Sequence, residues 1–91
     1  PDVFLGAWEG DRLVGFARAI TDGAYRALVD DVVVDESARG RGIGDELVRR
    51  LVAALVGVDE VFLRCQEGLV PFYERHGFTR ARCVTMDWTT R

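Results

Sequence analysis

Three alternating glycines interspersed with two arginines make up the segment of this chain best suited to holding a ligand. The segment, Arg39–Gly44, reads R-G-R-G-I-G and lies between an apolar, strand-like run and an amphipathic, helix-like run. A helix leaves its first N–H groups without intrahelical partners, and its dipole adds partial positive charge there, so anions bind at that end. Glycine lacks the Cβ that would keep an anion away from those groups. The segment therefore predicts a phosphate-binding turn at the start of a helix.

Two familiar phosphate loops do not fit this segment. The dinucleotide fingerprint G-x-G-x-x-G needs a glycine where Asp45 or Leu47 stands, depending on which glycine begins it. The nucleoside-triphosphate loop ends in Gly-Lys-Ser or Gly-Lys-Thr, and the chain contains no such triplet. The spacing that does fit is Arg-x-x-Gly-x-Gly, which runs from Arg39 through Gly42 to Gly44.

The elements that must position this turn follow from the apolar pattern. Strands are predicted at residues 3–9, 13–20 and 25–34, and the turns between them give an antiparallel meander. The glycine turn then opens a helix over residues 42–56. A short buried strand at residues 61–65 follows. Strand–helix–strand order implies a right-handed crossover, and therefore parallel pairing of this strand with the third.

The end of the chain is predicted to close the sheet. A second helix covers residues 68–76, and a hairpin of residues 78–81 and 83–88 follows it, in which Val84, Met86 and Trp88 share one face. The predicted fold class is α/β of the α+β type, with a mixed central sheet and the element order β-β-β-α-β-α-β-β.

Two segments carry a resemblance to a known family. Arg39–Gly44 resembles the pyrophosphate loop of the GNAT superfamily of acyl-CoA-dependent N-acyltransferases, and Phe72–Phe78, F-Y-E-R-H-G-F, is similar to that family's F-Y-x-x-x-G-F segment. The element order is similar to the GNAT core from its second strand onward, so one GNAT-like domain is expected over residues 1–91. The family's first strand and N-terminal helices, part of its acceptor-binding wall, have no counterpart. We expect a reduced member, a fragment, or a chain that borrows this wall from a second subunit.

The resemblance implies acetyl-CoA as the acyl donor and no metal. The N–H groups of the turn would take the pyrophosphate, and the backbone of the preceding strand would pair with the amides of the pantetheine arm as an added strand. The predicted donor-binding residues are Val32, Val33, Val34, Arg39, Gly40, Arg41, Gly42, Ile43, Gly44 and Asp45.

The resemblance also implies direct attack of an amine on the thioester. Tyr73, the tyrosine of the F-Y-x-x-x-G-F segment, is the predicted acid that discharges the departing thiolate, because a phenol stays protonated at neutral pH. Asp30 and Asp31 lie just before the pantetheine-binding strand segment, are expected to point to opposite faces, and are the candidate bases. His76 occupies a variable position on an expected surface-facing turn and is a weaker candidate. Gln66 is a candidate for orienting substrate.

The composition argues against several classes of binding partner. A net charge of −3 and a pI of about 5.0 argue against a general nucleic-acid binder, which needs a basic field. No stretch has the length of a membrane span. One histidine and two distant cysteines do not make a metal site. Cys65 and Cys83 are expected as free, buried thiols in a reducing cytoplasm.

The sequence therefore predicts an acetyltransferase that acts on a primary amine of a small molecule or a peptide. Exposed sheet edges on a chain of 91 residues also favour pairing with a second copy, so a homodimer is among the expected states. The alternatives are a non-catalytic acyl-CoA-binding or sensing module, favoured by the missing acceptor wall, and a dimerisation domain. Thermal stabilisation by acetyl-CoA and turnover of an amine separate the three.

Overall fold

The structure, a computed structural model, describes residues 2–89. Within that range the elements are β1 Val3–Glu9, β2 Arg12–Thr21, β3 Arg26–Val34, α1 Ile43–Ala54, β4 Glu60–Leu63 and α2 Val70–Glu74. A short 3-10 turn precedes each helix, at Glu36–Ala38 and at Glu67–Leu69.

The four strands form one mixed sheet in the order β1-β2-β3-β4. β1 pairs with β2 and β2 with β3 in antiparallel fashion, whereas β3 and β4 are parallel. The predicted meander, the crossover through α1 and the mixed α/β class are therefore confirmed. The observed bounds of β1 are those predicted from the sequence.

One face of the sheet packs against α1 and forms the core. Small residues on the two central strands allow the helix to approach closely, and leucines one helical turn apart fill the space between them. The buried core residues are Ala17, Ala19, Ala27, Val29, Leu47, Leu51 and Leu55. Burial of this face fixes α1 over β1, β2 and β3, and so fixes where the helix begins.

β3 and β4 stay together over only part of their length. Their ladder runs from the Arg26–Glu60 pair to the Val29–Leu63 pair. β3 continues to Val34, and this further part pairs with β2 but with no strand on its other side among residues 2–89. The two strands thus part beyond Val29, which leaves a free backbone edge on β3.

The predicted closing hairpin is not formed, and that part of the predicted element order is wrong. Residues 78–89 contain no strand. The side chains of Val84, Met86 and Trp88 are 84%, 88% and 86% exposed, so the alternating pattern has no apolar surface to bury against within the described chain. A two-stranded hairpin without such a surface is marginal in water.

Candidate functional site

The glycine turn is anchored on both sides before it reaches α1. At the end of β3 the Asp35 carboxylate accepts the Ser37 N–H at 3.0 Å and pairs with Arg12 at 2.8 Å. Gly40 and Gly42 both adopt φ of +80°, a left-handed conformation that favours glycine. Gly42 is the residue that caps the N-terminus of α1. The turn is therefore held in place on both sides, and the first residues of α1 face the space that the turn encloses.

The first N–H groups of α1 are free to bind a ligand. The first hydrogen bond of the helix is donated by the Glu46 N–H to the Gly42 carbonyl, at 3.1 Å. In the described part of the chain the N–H groups of Ile43, Gly44 and Asp45 have no acceptor. Three unpaired donors at the positive end of a 12-residue helix form an anion site.

These donors line a cavity of about 230 Å³. A Cβ built on Gly40 or Gly42 would meet no atom within 4 Å, so the glycines leave open space rather than protein next to the loop backbone. The cavity brings together most of the predicted donor-binding residues, and adds two that were not predicted. Its lining is Val34, Ala38, Arg39, Gly40, Gly42, Ile43, Gly44, Asp45 and Phe72.

The two arginines of the loop have different positions. Arg39 lines the cavity, and its Nε donates to the Val34 carbonyl at 3.2 Å. Arg41 is not in the lining, because its guanidinium pairs with Glu9 at 2.6 Å and donates to the Ser37 carbonyl at 3.3 Å. Of the two, Arg39 alone supplies positive charge to the cavity wall.

Val32 and Val33 also lie outside the cavity lining. They belong to the part of β3 that has parted from β4, directly before Val34. Val32 packs against the core and Val33 is exposed on the opposite face. Their position on a free strand edge, continuous with the cavity through Val34, is the arrangement that strand addition requires.

Tyr73 lies in an adjoining groove rather than in the cavity. The groove has a volume of about 690 Å³ and runs along β4 and α2, with Leu63 and Cys65 in its wall. Phe72 and Tyr73 meet edge to face, with their ring centroids 5.0 Å apart, so these consecutive rings face the two adjoining spaces. Burial, and secondarily the neighbouring Cys65, raise the pKa of Tyr73 above its ordinary value. Its phenol is therefore protonated at neutral pH.

Asp30 and Asp31 do not point to opposite faces, and that prediction is wrong. The β2–β3 register passes from the Arg18–Asp31 pair to the Ala19–Val29 pair, so Asp30 is an extra residue in a β-bulge. The bulge turns both carboxylates to Arg18, which pairs with Asp30 and approaches Asp31 at 3.6 Å. The pair lies on the sheet face opposite α1, and neither residue lines the cavity or the groove.

His76 does not face solvent as expected. Its side chain is 14% exposed, and its Nε2 lies 2.8 Å from Oδ1 of Asp45. The same Oδ1 accepts a hydrogen bond from Nη2 of Arg75 at 2.9 Å. The Arg75 bond, and after it the His76 bond, lower the pKa of Asp45 below its ordinary value. The sequence carries no signal for this contact, because the pairing depends on how α2 docks against α1.

The two cysteines are free, as predicted, but exposed rather than buried. Both line the groove, where the irregular segment after residue 78 leaves the end of β4 uncovered. Gln66 follows Cys65 and is the residue before the 3-10 turn that leads into α2. Across residues 2–89 no group of three His, Cys, Asp or Glu side chains is placed to hold a metal ion. The helices in this range are also too short or too polar to cross a membrane.

Comparison with known proteins agrees with this geometry. Residues 1–80 match the family model of the GNAT acetyltransferase domain. The rice protein named serotonin N-acetyltransferase 2, chloroplastic, is 45% identical over 69 residues, which are 74% of this chain and 34% of that protein. Rice glucosamine 6-phosphate N-acetyltransferase 1 is 50% identical over 52 residues, 55% of this chain and 32% of that protein.

A solved structure shows the same architecture. The GNAT-family acetyltransferase from Streptococcus pneumoniae superposes with a TM-score of 0.88 at 30% identity, covering 97% of this chain and 70% of that one. The chain spans about a third of the length of the two rice relatives. The family match over most of the chain, the shared fold and the free N–H groups at the glycine turn agree, and the chain belongs to the GNAT acetyltransferase family.

Proposed function

We propose that residues 1–91 form a single N-acetyltransferase domain, which transfers an acetyl group from acetyl-CoA to a primary amine. The observation that carries this proposal is the set of unpaired N–H groups of Ile43, Gly44 and Asp45, which open onto a cavity beside left-handed glycines. A pyrophosphate matches them, because it offers several anionic oxygens to converging donors. Arg39 adds a charge-assisted hydrogen bond from the wall.

The pantetheine arm is proposed to follow the free edge of β3. Beyond Val29 that edge has lost its partner β4, and its backbone groups at Val32 and Val33 are available to an extended chain of amides. An arm that enters from the cavity through Val34 and follows this edge moves toward the gap between β3 and β4. The groove that contains Tyr73 begins along β4, on the other side of Phe72.

Tyr73 is the proposed general acid. The amine nitrogen attacks the thioester carbonyl carbon, the carbon–sulfur bond breaks, and coenzyme A leaves as a thiolate that takes the phenolic proton. The raised pKa of Tyr73 keeps that proton in place until a strong base forms beside it. The attacking nitrogen gives up its second proton to solvent as the amide forms, and the tyrosinate recovers a proton from solvent.

Asp31 or Asp30, acting through a water, is the proposed base that takes a proton from the acceptor ammonium. Two carboxylates against the one guanidinium of Arg18 leave a net negative charge on the sheet face opposite α1. This charge favours a cationic acceptor by simple attraction. The two rice relatives are named for serotonin and for glucosamine 6-phosphate, which are both amines but are otherwise unlike. These names support an amine acceptor without indicating which amine.

A homodimer in the cytoplasm is the proposed state of the protein. The outer edge of β4 has no strand partner within residues 2–89, and apolar side chains after residue 83 are exposed next to it. Free thiols at Cys65 and Cys83 favour a reducing compartment. Light scattering at twice the 10.2 kDa chain mass would support the dimer, and the single mass would contradict it.

Release of coenzyme A thiol in the presence of a panel of amines tests the activity. The panel contains a polyamine, an aminoglycoside, an arylethylamine, an amino sugar and a lysine peptide. Tyr73→Phe should lower kcat by about 100-fold, within the range for loss of a general acid, and leave acetyl-CoA binding unchanged. Tyr25→Phe is the control, since Tyr25 is an exposed tyrosine outside both the cavity and the groove.

Two outcomes would overturn the proposal in different ways. If the wild-type protein binds acetyl-CoA but no amine accelerates thiol release, the domain is a binding or sensing module. If Tyr73→Phe keeps the full rate with a productive amine, another group acts as the acid.

A further inference from the structure

Two consecutive carboxylates in the first turn of α1 have partners on different elements. Glu46 pairs with Arg49 and, at 2.5 Å, with Arg50, so its bonds stay within α1. Asp45 instead pairs with Arg75 at 2.9 Å and with His76 at 2.8 Å, the two residues that follow α2. Equal charge and adjacent positions in the first turn of the helix make Glu46 a matched reference for Asp45.

Apart from these bonds, α2 is held mainly by ring contacts. In one of them the ring centroids of Tyr73 and Phe78 are 5.9 Å apart, and Phe78 itself packs against the core. The helix has five residues, none of them buried, and its N-terminus has no side-chain cap. Its remaining contact with α1 is through Phe72, whose ring would lie 3.5 Å from a Cβ built on Gly44, which is ordinary van der Waals contact. A helix this short does not persist on its own propensity. Its orientation therefore depends on its ring contacts together with the bonds made just after its C-terminus.

The Arg75 and His76 side chains, which bind Asp45, also pack against the Phe72 ring. The guanidinium carbon of Arg75 lies 5.2 Å from the centroid of the Phe72 ring, and the His76 ring centroid lies 5.3 Å from it. Asp45 thus binds the Arg75 and His76 side chains, and both of these pack against the Phe72 ring that lies over the glycine turn. Tyr73, the next residue along α2, moves with that ring.

We propose that Asp45 is a positioning residue, which ties α2 to the glycine turn and so sets the place of Tyr73 relative to the bound donor. This inference rests on the proposed acetyl transfer. Asp45 acts through Arg75 and His76 and does not itself touch the reacting atoms. Its backbone N–H belongs to the anion site, whereas its carboxylate faces the other way, toward α2.

Removal of the Asp45 carboxylate should affect donor binding and kcat differently. Because the carboxylate faces α2 rather than the anion site, its removal alone should leave acetyl-CoA binding equal, or tighter through loss of a nearby negative charge. Loss of the tie should instead displace Tyr73, and small displacements of a catalytic group cost large factors in rate. Asp45→Asn is therefore expected to lower kcat about tenfold without raising the KM for acetyl-CoA.

The experiment compares Asp45→Asn with Glu46→Gln in the full chain. Each replaces one first-turn carboxylate by its isosteric amide, and Glu46→Gln should keep the wild-type kcat and KM. Arg75→Gln should reproduce the effect of Asp45→Asn from the other side of the contact, and the double variant should be no slower than either single one. Equal kcat for Asp45→Asn and Glu46→Gln would overturn the proposal, as would a loss of rate caused by a higher KM alone.

Hydrogen exchange provides a readout that does not need turnover. Amides of residues 70–77 should exchange several-fold faster in Asp45→Asn than in the wild type or in Glu46→Gln, because the tie limits opening of α2. If no amine supports turnover in the wild type, the proposed function fails. The exchange rates then test only whether Asp45 holds α2 in place, and unchanged rates in Asp45→Asn would refute that contact.

Discussion

The glycine turn and the segment after residue 78 are both irregular, yet the turn is anchored between buried elements and the later segment exposes its large apolar side chains. The turn is tied at one end to β3 through Asp35 and at the other to α1, whose Leu51 is fully buried. The segment after residue 78 exposes its large apolar side chains and forms no strand. Of these two irregular segments, the one anchored beside buried residues is the one proposed to bind the donor.

The largest expected effect is on stability and separates the two regions directly. Leu51→Ala removes a fully buried side chain beneath α1 and should cost about 3 kcal/mol of unfolding free energy, within the range for such cavities. Trp88→Ala removes a larger side chain that is 86% exposed, and should change the unfolding free energy by less than about 0.5 kcal/mol. Urea denaturation measures both.

A large cost for Trp88→Ala would break this comparison. It would mean that the segment after residue 78 is packed in solution, either against a second copy of the chain or against the sheet of the same chain. Repeating the denaturation at several protein concentrations separates these two cases, because only association makes the midpoint depend on concentration.

A smaller effect should distinguish the turn from other turns with the same backbone. Gly42 and Gly23 both have φ of +80° and open space around the Cβ position. An alanine at either site pays a similar left-handed strain of about 1–2 kcal/mol. Only Gly42→Ala alters the donor cavity, and it should weaken acetyl-CoA binding at least about tenfold, or 1.4 kcal/mol.

Calorimetric titration of both variants measures this difference. Gly23→Ala lies in the β2–β3 turn and should bind acetyl-CoA like the wild type. Equal weakening in both variants would show that general destabilisation, rather than the shape of the turn, limits binding.

The parts of the fold that could be predicted from the sequence are those set by neighbours along the chain. The glycine spacing, the helical repeat of α1 and the β-branched run of β3 are local, and they predicted the turn between β3 and α1 where the structure has it. The bulge at Asp30 was not predictable in this way, since it depends on the register that β2 imposes on β3. The alternation of Val84 to Trp88 is typical of a strand, but a strand also requires a partner.

The contact between Asp45 and the end of α2 was likewise beyond sequence reasoning. Asp45 and His76 are 31 positions apart, and no periodic pattern relates them. The pairing of Arg41 with Glu9 at the end of β1 also has no signal in the sequence. Long-range pairs of charged side chains depend on tertiary docking, so they emerge only from the structure.

The central claim is that the first N–H groups of α1 hold the pyrophosphate of the donor, and amide NMR tests it most directly. Titration with coenzyme A should shift the backbone amides of Ile43, Gly44 and Asp45 more than those elsewhere in α1. Pantetheine, which lacks the pyrophosphate, should leave these amides in place. Binding of coenzyme A that leaves these three amides unshifted would contradict the account.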